Sequence, residues 1–369
     1  MPQLKDTFAK QYKRLVSEGK SLTVYAERRK KLLSLARGKQ VVAMTAENLF
    51  YLTDFFGGGA AIVRPDKTMV FTSPLEAERA GEVGKEVEVV VARKAKEVPA
   101  ALLKHLERGR ALVDDDSKLR GSGRFIMNPE LFLQARRVKD EVELARIKKA
   151  SRRLDKVFEA LPGELRPGRS EWDVAAEVMK LATQQGLTPS GSDSALSPTI
   201  IASGENGALP HSELSGRRIK PGDFVVADIF FRFEGYNSDE TRTFAVGTPS
   251  AEMKRNYGAV LEAQESALWA ATVGTPCEEV HEAAVRVLRK HGIDKYLNHS
   301  VGHGVGIDIH ELPTISKGSK TRLVRNDVVT DEPGVYLRGR YGIRIEDTLK
   351  IDRKPVVLTR FTKDLVTCG

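Results

Sequence analysis

Cysteine is nearly absent: Cys277 and Cys368 are the only two in 369 residues, far apart and outside any Cys-x-x-Cys pair. A disulfide framework is excluded on that count, and a reducing, cytoplasmic setting is the expectation. No apolar run approaches the length of a membrane span. The opening Met1-Pro2-Gln3-Leu4-Lys5-Asp6 leads into charged sequence with no apolar signal core. Zinc-finger spacing is missing, and no aromatic residues interleave with basic ones in a stacking motif for nucleic acid. What is present, 41% hydrophobic and 30% charged residues with scattered Gly and Pro, is the composition of a soluble globular chain.

The length exceeds one ordinary core and favours two domains. The net charge of +9 is unevenly placed. Residues 1–150 carry 30 Lys+Arg against 20 Asp+Glu, whereas residues 151–369 carry 29 against 30. The basic excess falls in amphipathic segments such as Arg28-Arg29-Lys30-Lys31 and Arg136-Arg137, which read as solvated helix faces, so no specific nucleic-acid partner is expected.

The first part alternates short strands and helices. Val41–Met44 reads as a strand, and Ala60–Val63 pairs with Met69–Phe71 across Pro65-Asp66-Lys67. Val87–Val91 reads as a buried strand, and helices are expected over Pro74–Glu82, Val98–Glu107 and Pro129–Arg137. Asp114-Asp115-Asp116 follows a strand and reads as a turn rather than a metal site. Together these describe an α/β domain over residues 1–135 without a catalytic signature.

A long helix opens the second domain, residues 136–369. Ile147, Ala150, Leu154, Val157, Phe158 and Leu161 recur at helical spacing until Pro162-Gly163. A second helix starts at the N-cap Ser170 and stops at Gly186. The same order returns as Met253–Val273, Gly274-Thr275-Pro276, Cys277–His291 and Gly292. Each helix pair is followed by a β segment with a carboxylate five residues after an opening Asp and another on the returning strand. One runs from Asp223 through Asp228 to Asp239, the other from Asp327 through Glu332 to Glu346. Such a repeat implies a pseudo-symmetric domain with one hairpin from each half.

In the second hairpin a turn at Arg338-Gly339-Arg340 sets Glu332 opposite Glu346. In the first, a turn near Glu234-Gly235 brings Asp228 close to Asp239, with a bulge expected to adjust the register. Four carboxylates aimed at one point are untenable without cations between them. His303, in Gly302-His303-Gly304-Val305-Gly306, supplies a nitrogen ligand where flanking glycines let the backbone approach. Oxygen-rich ligation with one imidazole suits Mn²⁺ or Co²⁺, and Zn²⁺ is compatible.

These motifs resemble a known family. Asn237-Ser-Asp-Glu-Thr-Arg-Thr-Phe, Gly302-His-Gly-Val-Gly with His310-Glu-Leu-Pro313, Asp331-Glu-Pro-Gly-Val-Tyr and Gly342-Ile-Arg-Ile-Glu-Asp-Thr resemble the pita-bread metallopeptidases, among them methionine aminopeptidase, aminopeptidase P and prolidase. The α/β part is similar to the creatinase-type N-terminal domain of the proline-specific branch. The resemblance implies two divalent metal ions sharing a water. Asp239 and Glu346 would bridge them, Asp228 would bind one, and His303 with Glu332 the other. It also implies that Glu332 shuttles a proton and that His211 and His310 contact the substrate carbonyls. His299 would line a proline pocket, and Arg344 would orient the carboxylates. His281 and His291 read as ordinary helical residues.

Within the family, the large N-terminal domain argues against methionine aminopeptidase. Retention of all five ligands argues against creatinase and against a non-catalytic binding protein. Peptides with proline in the second position are the expected substrates. Many similar prolidases carry an Arg just after the His-Glu-x-Pro motif, where it grips a dipeptide carboxylate. Thr314 occupies that position here, which tilts the expectation toward an aminopeptidase, with Arg322 or Arg325 as substitutes nearby. A homodimer through the N-terminal domain is compatible with the resemblance and rests on it alone.

Overall fold

The computed structural model describes residues 23–119, 123–190 and 197–369; the start of the chain, read above as carrying no apolar leader, lies outside them. Its contacts divide it into two units, Met1–Arg136 and Arg137–Gly369.

In the first unit the order is α1 (Val24–Leu35), β1 (Gln40–Ala43), α2 (Ala46–Thr53), β2 (Ala60–Val63), β3 (Thr68–Thr72), α3 (Pro74–Val83), β4 (Val87–Val91), α4 (Val98–His105), β5 (Ala111–Val113), β6 (Phe125–Met127) and α5 (Glu130–Arg137). The strands form one sheet in the order β4-β3-β2-β1-β5-β6. Ile62 faces Met69 across the antiparallel β2–β3 pair, and the turn closes with Arg64 N donating to Lys67 O. Val42, Ile62, Phe71 and Val113 line the core.

Two sequence expectations fail in this unit. The apolar run β4 is an edge strand, and its residues are half-exposed or exposed rather than buried. The basic pairs are not solvated faces: Arg28, Arg29 and Arg136 are all buried. Arg28 donates to the Tyr51 carbonyl at 2.7 Å while lying over the Tyr51 ring. Arg29 pairs with Glu86 at 2.6 Å, and Arg136 donates to Asn48 Oδ1 at 2.9 Å. Fixed guanidinium forks reach partners that a helical wheel does not show. Asp114 is structural: its carboxylate accepts from Met44 N, Thr45 N and Asn48 Nδ2, and so secures the start of α2.

The second unit is built twice over on one plan. Its first half comprises α6 (Glu141–Ala160), α7 (Glu171–Gln184), β7 (Thr188–Pro189), β8 (Thr199–Ser203), β9 (Phe224–Phe233) and β10 (Tyr236–Val246). Its second half comprises α8 (Ala251–Ala270), α9 (Cys277–Lys290), β11 (Gly302–Gly304), β12 (Glu311–Ile315), β13 (Val328–Asp331), β14 (Gly334–Leu337), β15 (Tyr341–Arg344), β16 (Asp347–Lys350) and β17 (Val356–Val357), while the last strand, β18 (Thr367–Cys368), returns to pair with β10 of the first half. Reciprocal capping boxes start α6 at Asp140 and α7 at Ser170. Leu154, Phe158, Val174 and Val178 pack on Ile229 and Phe231 in one core; Val260, Ala267, Val280 and Leu288 pack with Val329, Ile343 and Leu349 in the other. Each helix pair therefore backs one β layer, and an isolated bridge between Thr241 and Glu346 joins the two layers. Among the described residues no helix is long and apolar enough to cross a membrane.

Candidate metal centre

The first hairpin turns tightly at Glu234 and Gly235, both at positive φ, and β9 and β10 then pair without interruption from Phe233–Tyr236 to Phe224–Ala245. No bulge occurs. Asp228 faces Thr241 and Asp239 faces Phe230, so the two carboxylates are diagonal neighbours on one face rather than directly opposed. A two-residue turn already gives the register that the expected bulge was meant to supply.

The second hairpin is a ladder with a gap. Gly334 pairs with Arg344 in the β14–β15 part and Asp331 pairs with Asp347 in the β13–β16 part. The register carries through the gap and sets Glu332 opposite Glu346. The backbone groups released there are used elsewhere: Glu332 N donates to Val301 O at 2.8 Å, and Glu346 N donates to Thr241 O at 3.0 Å. The second bond is half of the isolated Thr241–Glu346 bridge that stitches the two hairpins together, and Thr241 Oγ1 adds a 2.5 Å hydrogen bond to Glu346 Oε2.

His303 lies on β11, between β12 and β13. Gly302 and Gly304 on either side lie so close to the backbones of Thr330 and Leu312 that any side chain there would collide. Its Nδ1 faces the Gly304 carbonyl at 3.1 Å and must carry the hydrogen, which leaves the Nε2 lone pair pointing at acids: Glu332 Oε1 at 3.3 Å and Asp239 Oδ2 at 3.8 Å. Ligand atoms of Asp239, His303 and Glu346 all lie within 4.8 Å of one another. Burial holds the His303 imidazole below its ordinary range, favouring the neutral ligand form.

The acids are under electrostatic stress. Burial, reinforced by Asp228 and Glu332, raises Asp239 well above the usual carboxylate range; burial and then Asp239 do the same to Glu346, and burial raises Glu332. Asp239 Oδ1 and Glu346 Oε1 are buried without a hydrogen-bond partner. Buried, unpartnered carboxylate oxygens clustered with a neutral imidazole are the donor set that divalent cations satisfy, so these residues fit a metal centre.

Among the described residues Arg344 is the cation in direct contact with this cluster. It pairs with Asp228, and it donates from Nε to Thr241 Oγ1 at 3.2 Å and from Nη1 to Tyr336 OH at 2.6 Å and to the Pro210 carbonyl at 3.2 Å. Tyr336, already engaged by Arg344, lies 2.9 Å from His299 Nε2. Because His299 Nδ1 donates to the Ser300 carbonyl at 2.6 Å, the tyrosine hydroxyl donates to Nε2. Burial keeps His299 below its ordinary range and pushes Tyr336 up to about 12, so neither changes charge near neutrality. His310 is exposed, its ring edge-on to that of His303 with centroids 4.4 Å apart. His211 is also exposed, on the segment whose Pro210 carbonyl Arg344 holds.

Several contributors are invisible to motif reading. Tyr336 lies in a motif read only as a signature. Asn237 donates from its backbone and side chain to the Gly306 carbonyl, and from the side chain to Ile307 O at 2.7 Å, tying the His303–His310 segment to the first hairpin. Glu311, beside His310, is locked in a buried ion pair with Lys139 at 2.9 Å, side-chain exposure 1% and 0%. The alternation of acid pairs Asp239-Glu240, Asp331-Glu332 and Glu346-Asp347 was the one available signal for a further network. On the opposite strand faces, Arg242 reaches Glu240 and Asp347, and Gln264 bridges Asp331 and Asp347.

The chain is similar to known proteins over most of its length. The model of metallopeptidase family M24 matches residues 145–353, and that of the creatinase/prolidase N-terminal domain matches residues 9–160. An Xaa-Pro dipeptidase of Pyrococcus furiosus is 36% identical over 313 residues, 82% of this chain and 88% of that protein. The solved Xaa-Pro dipeptidase from Bacillus anthracis superposes with a TM-score of 0.85 at 30% identity, covering 93% of this chain and 99% of the other. An X-Pro aminopeptidase from Thermotoga maritima superposes with a TM-score of 0.82 at 28% identity, covering 92% and 99%.

Proposed function

The chain belongs to metallopeptidase family M24, with a creatinase-type N-terminal domain before its pita-bread domain, and from that premise we propose that it is an Xaa-Pro dipeptidase. In this reading Asp228, Asp239, His303, Glu332 and Glu346 would hold two divalent cations; Mn²⁺ or Co²⁺ suits the donor set and Zn²⁺ also fits. When bound, the pair would supply Lewis acidity toward the scissile carbonyl and a water nucleophile at neutral pH. The observation that carries the metal-centre reading is the gathering of ligand atoms of Asp239, His303 and Glu346 within 4.8 Å of one another, with Asp239 Oδ1 and Glu346 Oε1 buried and unpartnered.

The chain's own groups divide the remaining work. Glu332 takes the proton of the attacking water and returns it to the departing proline nitrogen. His211 and His310, both exposed toward solvent, donate hydrogen bonds to substrate carbonyl oxygen as charge develops there. His299 has both ring nitrogens engaged, so it contributes ring surface to a proline pocket rather than a hydrogen bond. Arg344 fixes the orientation of Asp228. Both cysteines are free and buried, on which basis we take the reducing cytoplasm as the compartment.

One residue favours a second reading, an Xaa-Pro aminopeptidase acting on longer peptides. Thr314 cannot hold a dipeptide carboxylate as an Arg would, and the two arginines considered as substitutes are engaged elsewhere. Arg322 donates to Gly274 O at 2.7 Å, and Arg325 pairs with Asp352 at 3.5 Å. Hydrolysis of Xaa-Pro against Xaa-Pro-Yaa, with Mn²⁺ and after chelation, decides between them. The proposal expects metal-dependent turnover with the dipeptide preferred. Preference for the tripeptide selects the second reading. Preference for Met-Ala-Yaa, or no metal-stimulated cleavage, removes both.

A further inference from the structure

Glu171 is the first residue of α7 and is fully buried, yet among the described residues no lysine or arginine pairs with it. Its charge is answered by hydrogen bonds instead. Oε1 accepts from Ser203 N and Ser203 Oγ, both at 2.8 Å, and from Asn206 Nδ2 at 3.1 Å. Oε2 accepts from Ser215 N at 3.1 Å, Ser215 Oγ at 2.6 Å and again from Asn206 Nδ2 at 3.1 Å. A buried carboxylate is costly unless so satisfied. Ser203 and Ser215 are the two feet of the segment that carries His211, and Asn206 lies between them. The support beneath is firm: Ser170 caps α7 reciprocally with Asp173, and Glu171 N donates to Arg217 O at 3.1 Å. On its other side the segment meets β15. The Pro210 carbonyl takes Arg344 Nη1, and Gly207 approaches Gly342 so closely that a side chain on Gly342 would strike the Gly207 carbonyl.

We propose that Glu171 is a positioning residue that fixes the His211 segment against the metal centre by holding both of its feet on one carboxylate. The inference rests on the reading of His211 as a substrate-carbonyl donor. Its chemistry makes an isosteric test sharp. In Glu171→Gln one carboxylate oxygen becomes an NH₂ group. The Ser203 hydroxyl, which accepts from Arg217 Nη1, keeps a lone pair for that group, whereas Ser215 Oγ already accepts from Asn206 Nδ2 and Arg217 N, and neither backbone N–H can reverse its role. Whichever way the amide points, one foot is left with two donors facing each other.

The test measures kcat and KM on an Xaa-Pro dipeptide with Mn²⁺ for wild type, Glu171→Gln, His211→Ala and the double variant. Bound manganese and hydrogen exchange of the full chain are measured alongside. Glu171→Gln is expected to lower kcat/KM by about 10- to 100-fold with bound manganese unchanged. In the His211→Ala background it should cost at most about twofold more, because its effect runs through His211. Exchange should quicken in residues 203–216 and stay unchanged around His303. If Glu171→Gln does not fold, the milder Ser215→Ala carries the test, with a smaller loss in the same direction and the same non-additivity. Wild-type kcat/KM in a folded variant, a full additive loss on top of His211→Ala, or loss of bound manganese would each overturn the proposal. If the wild-type protein cleaves no peptide, the functional reading fails. Exchange in residues 203–216 then decides the anchor alone: faster exchange in Glu171→Gln supports it and unchanged exchange overturns it.

Discussion

Asp239→Asn should move stability in opposite directions in the presence and absence of metal. In the metal-free protein Asp239 sits among acids, with a ligand oxygen within 4.8 Å of one on Glu346. At an effective dielectric constant of about 20, two full charges at that separation repel by about 3 kcal/mol. The figure is an upper bound, because burial already holds both carboxyls well above their usual range and so partly protonated. An amide of the same shape removes the repulsion at little steric cost. The metal-free variant should therefore be more stable by about 1–3 kcal/mol, roughly 2–10 °C in Tm for a domain of this size. Adding Mn²⁺ should reverse the order. A cation at 100 times its Kd stabilises by about 2.7 kcal/mol, and a variant without the shared carboxylate forgoes most of that gain. Thermal melts of both proteins, chelated and with Mn²⁺, measure both signs in one experiment. A metal-free variant less stable than wild type, together with an undiminished Mn²⁺ gain, would refute the reasoning.

The buried Lys139–Glu311 pair gives a second prediction. Lys139→Met should destabilise by about 3–5 kcal/mol by leaving a buried carboxylate without its cation, and the double variant Lys139→Met/Glu311→Leu should recover most of the loss in urea unfolding; equal damage in both would show that packing, not charge, is at stake. Arg344→Lys should fall about 10- to 100-fold in activity or metal affinity, nearly as far as Arg344→Met. A single ammonium cannot serve Asp228, Thr241, Tyr336 and Pro210 at once, so wild-type behaviour in the lysine variant would contradict the fork. His281 is buried on α9 with Nδ1 unpartnered, and burial lowers its pKa below the unfolded value of 6.5. The unfolded chain then takes up the proton first, so stability is present above that pH and is lost as pH falls through the window. The loss is at most ~1.4 kcal/mol per pH unit. His281→Leu should flatten that slope between about pH 7.5 and 5.5, and an unchanged slope would assign it to other groups.

The repeat was legible because each half uses the same punctuation: a Pro/Gly break, a shorter helix ending at Gly, then an Asp five residues before a second acid. That fixed the two hairpins and their turns, and with them the acids that converge. What eluded sequence reading depends on long-range partners. Arg28 and Arg29 look solvated until Tyr51 and Glu86, 23 and 57 residues away, are placed beside them. Val87–Val91 is apolar enough to be central, but strand order is set by which crossover closes the sheet, and it falls at the edge. The bulge expected at Asp228 and Asp239 proved unnecessary because diagonal neighbours on adjacent strands share a face as well as directly opposed ones do. Glu171 has no local signal at all, since its partners Ser203 and Ser215 lie 32 and 44 residues downstream.

Anomalous diffraction from crystals grown with Mn²⁺ tests the central claim most directly. Two peaks are expected, both enclosed by Asp228, Asp239, His303, Glu332 and Glu346, with Asp239 and Glu346 touching each. Manganese bound elsewhere, with these five side chains making no contact to it, would contradict the account.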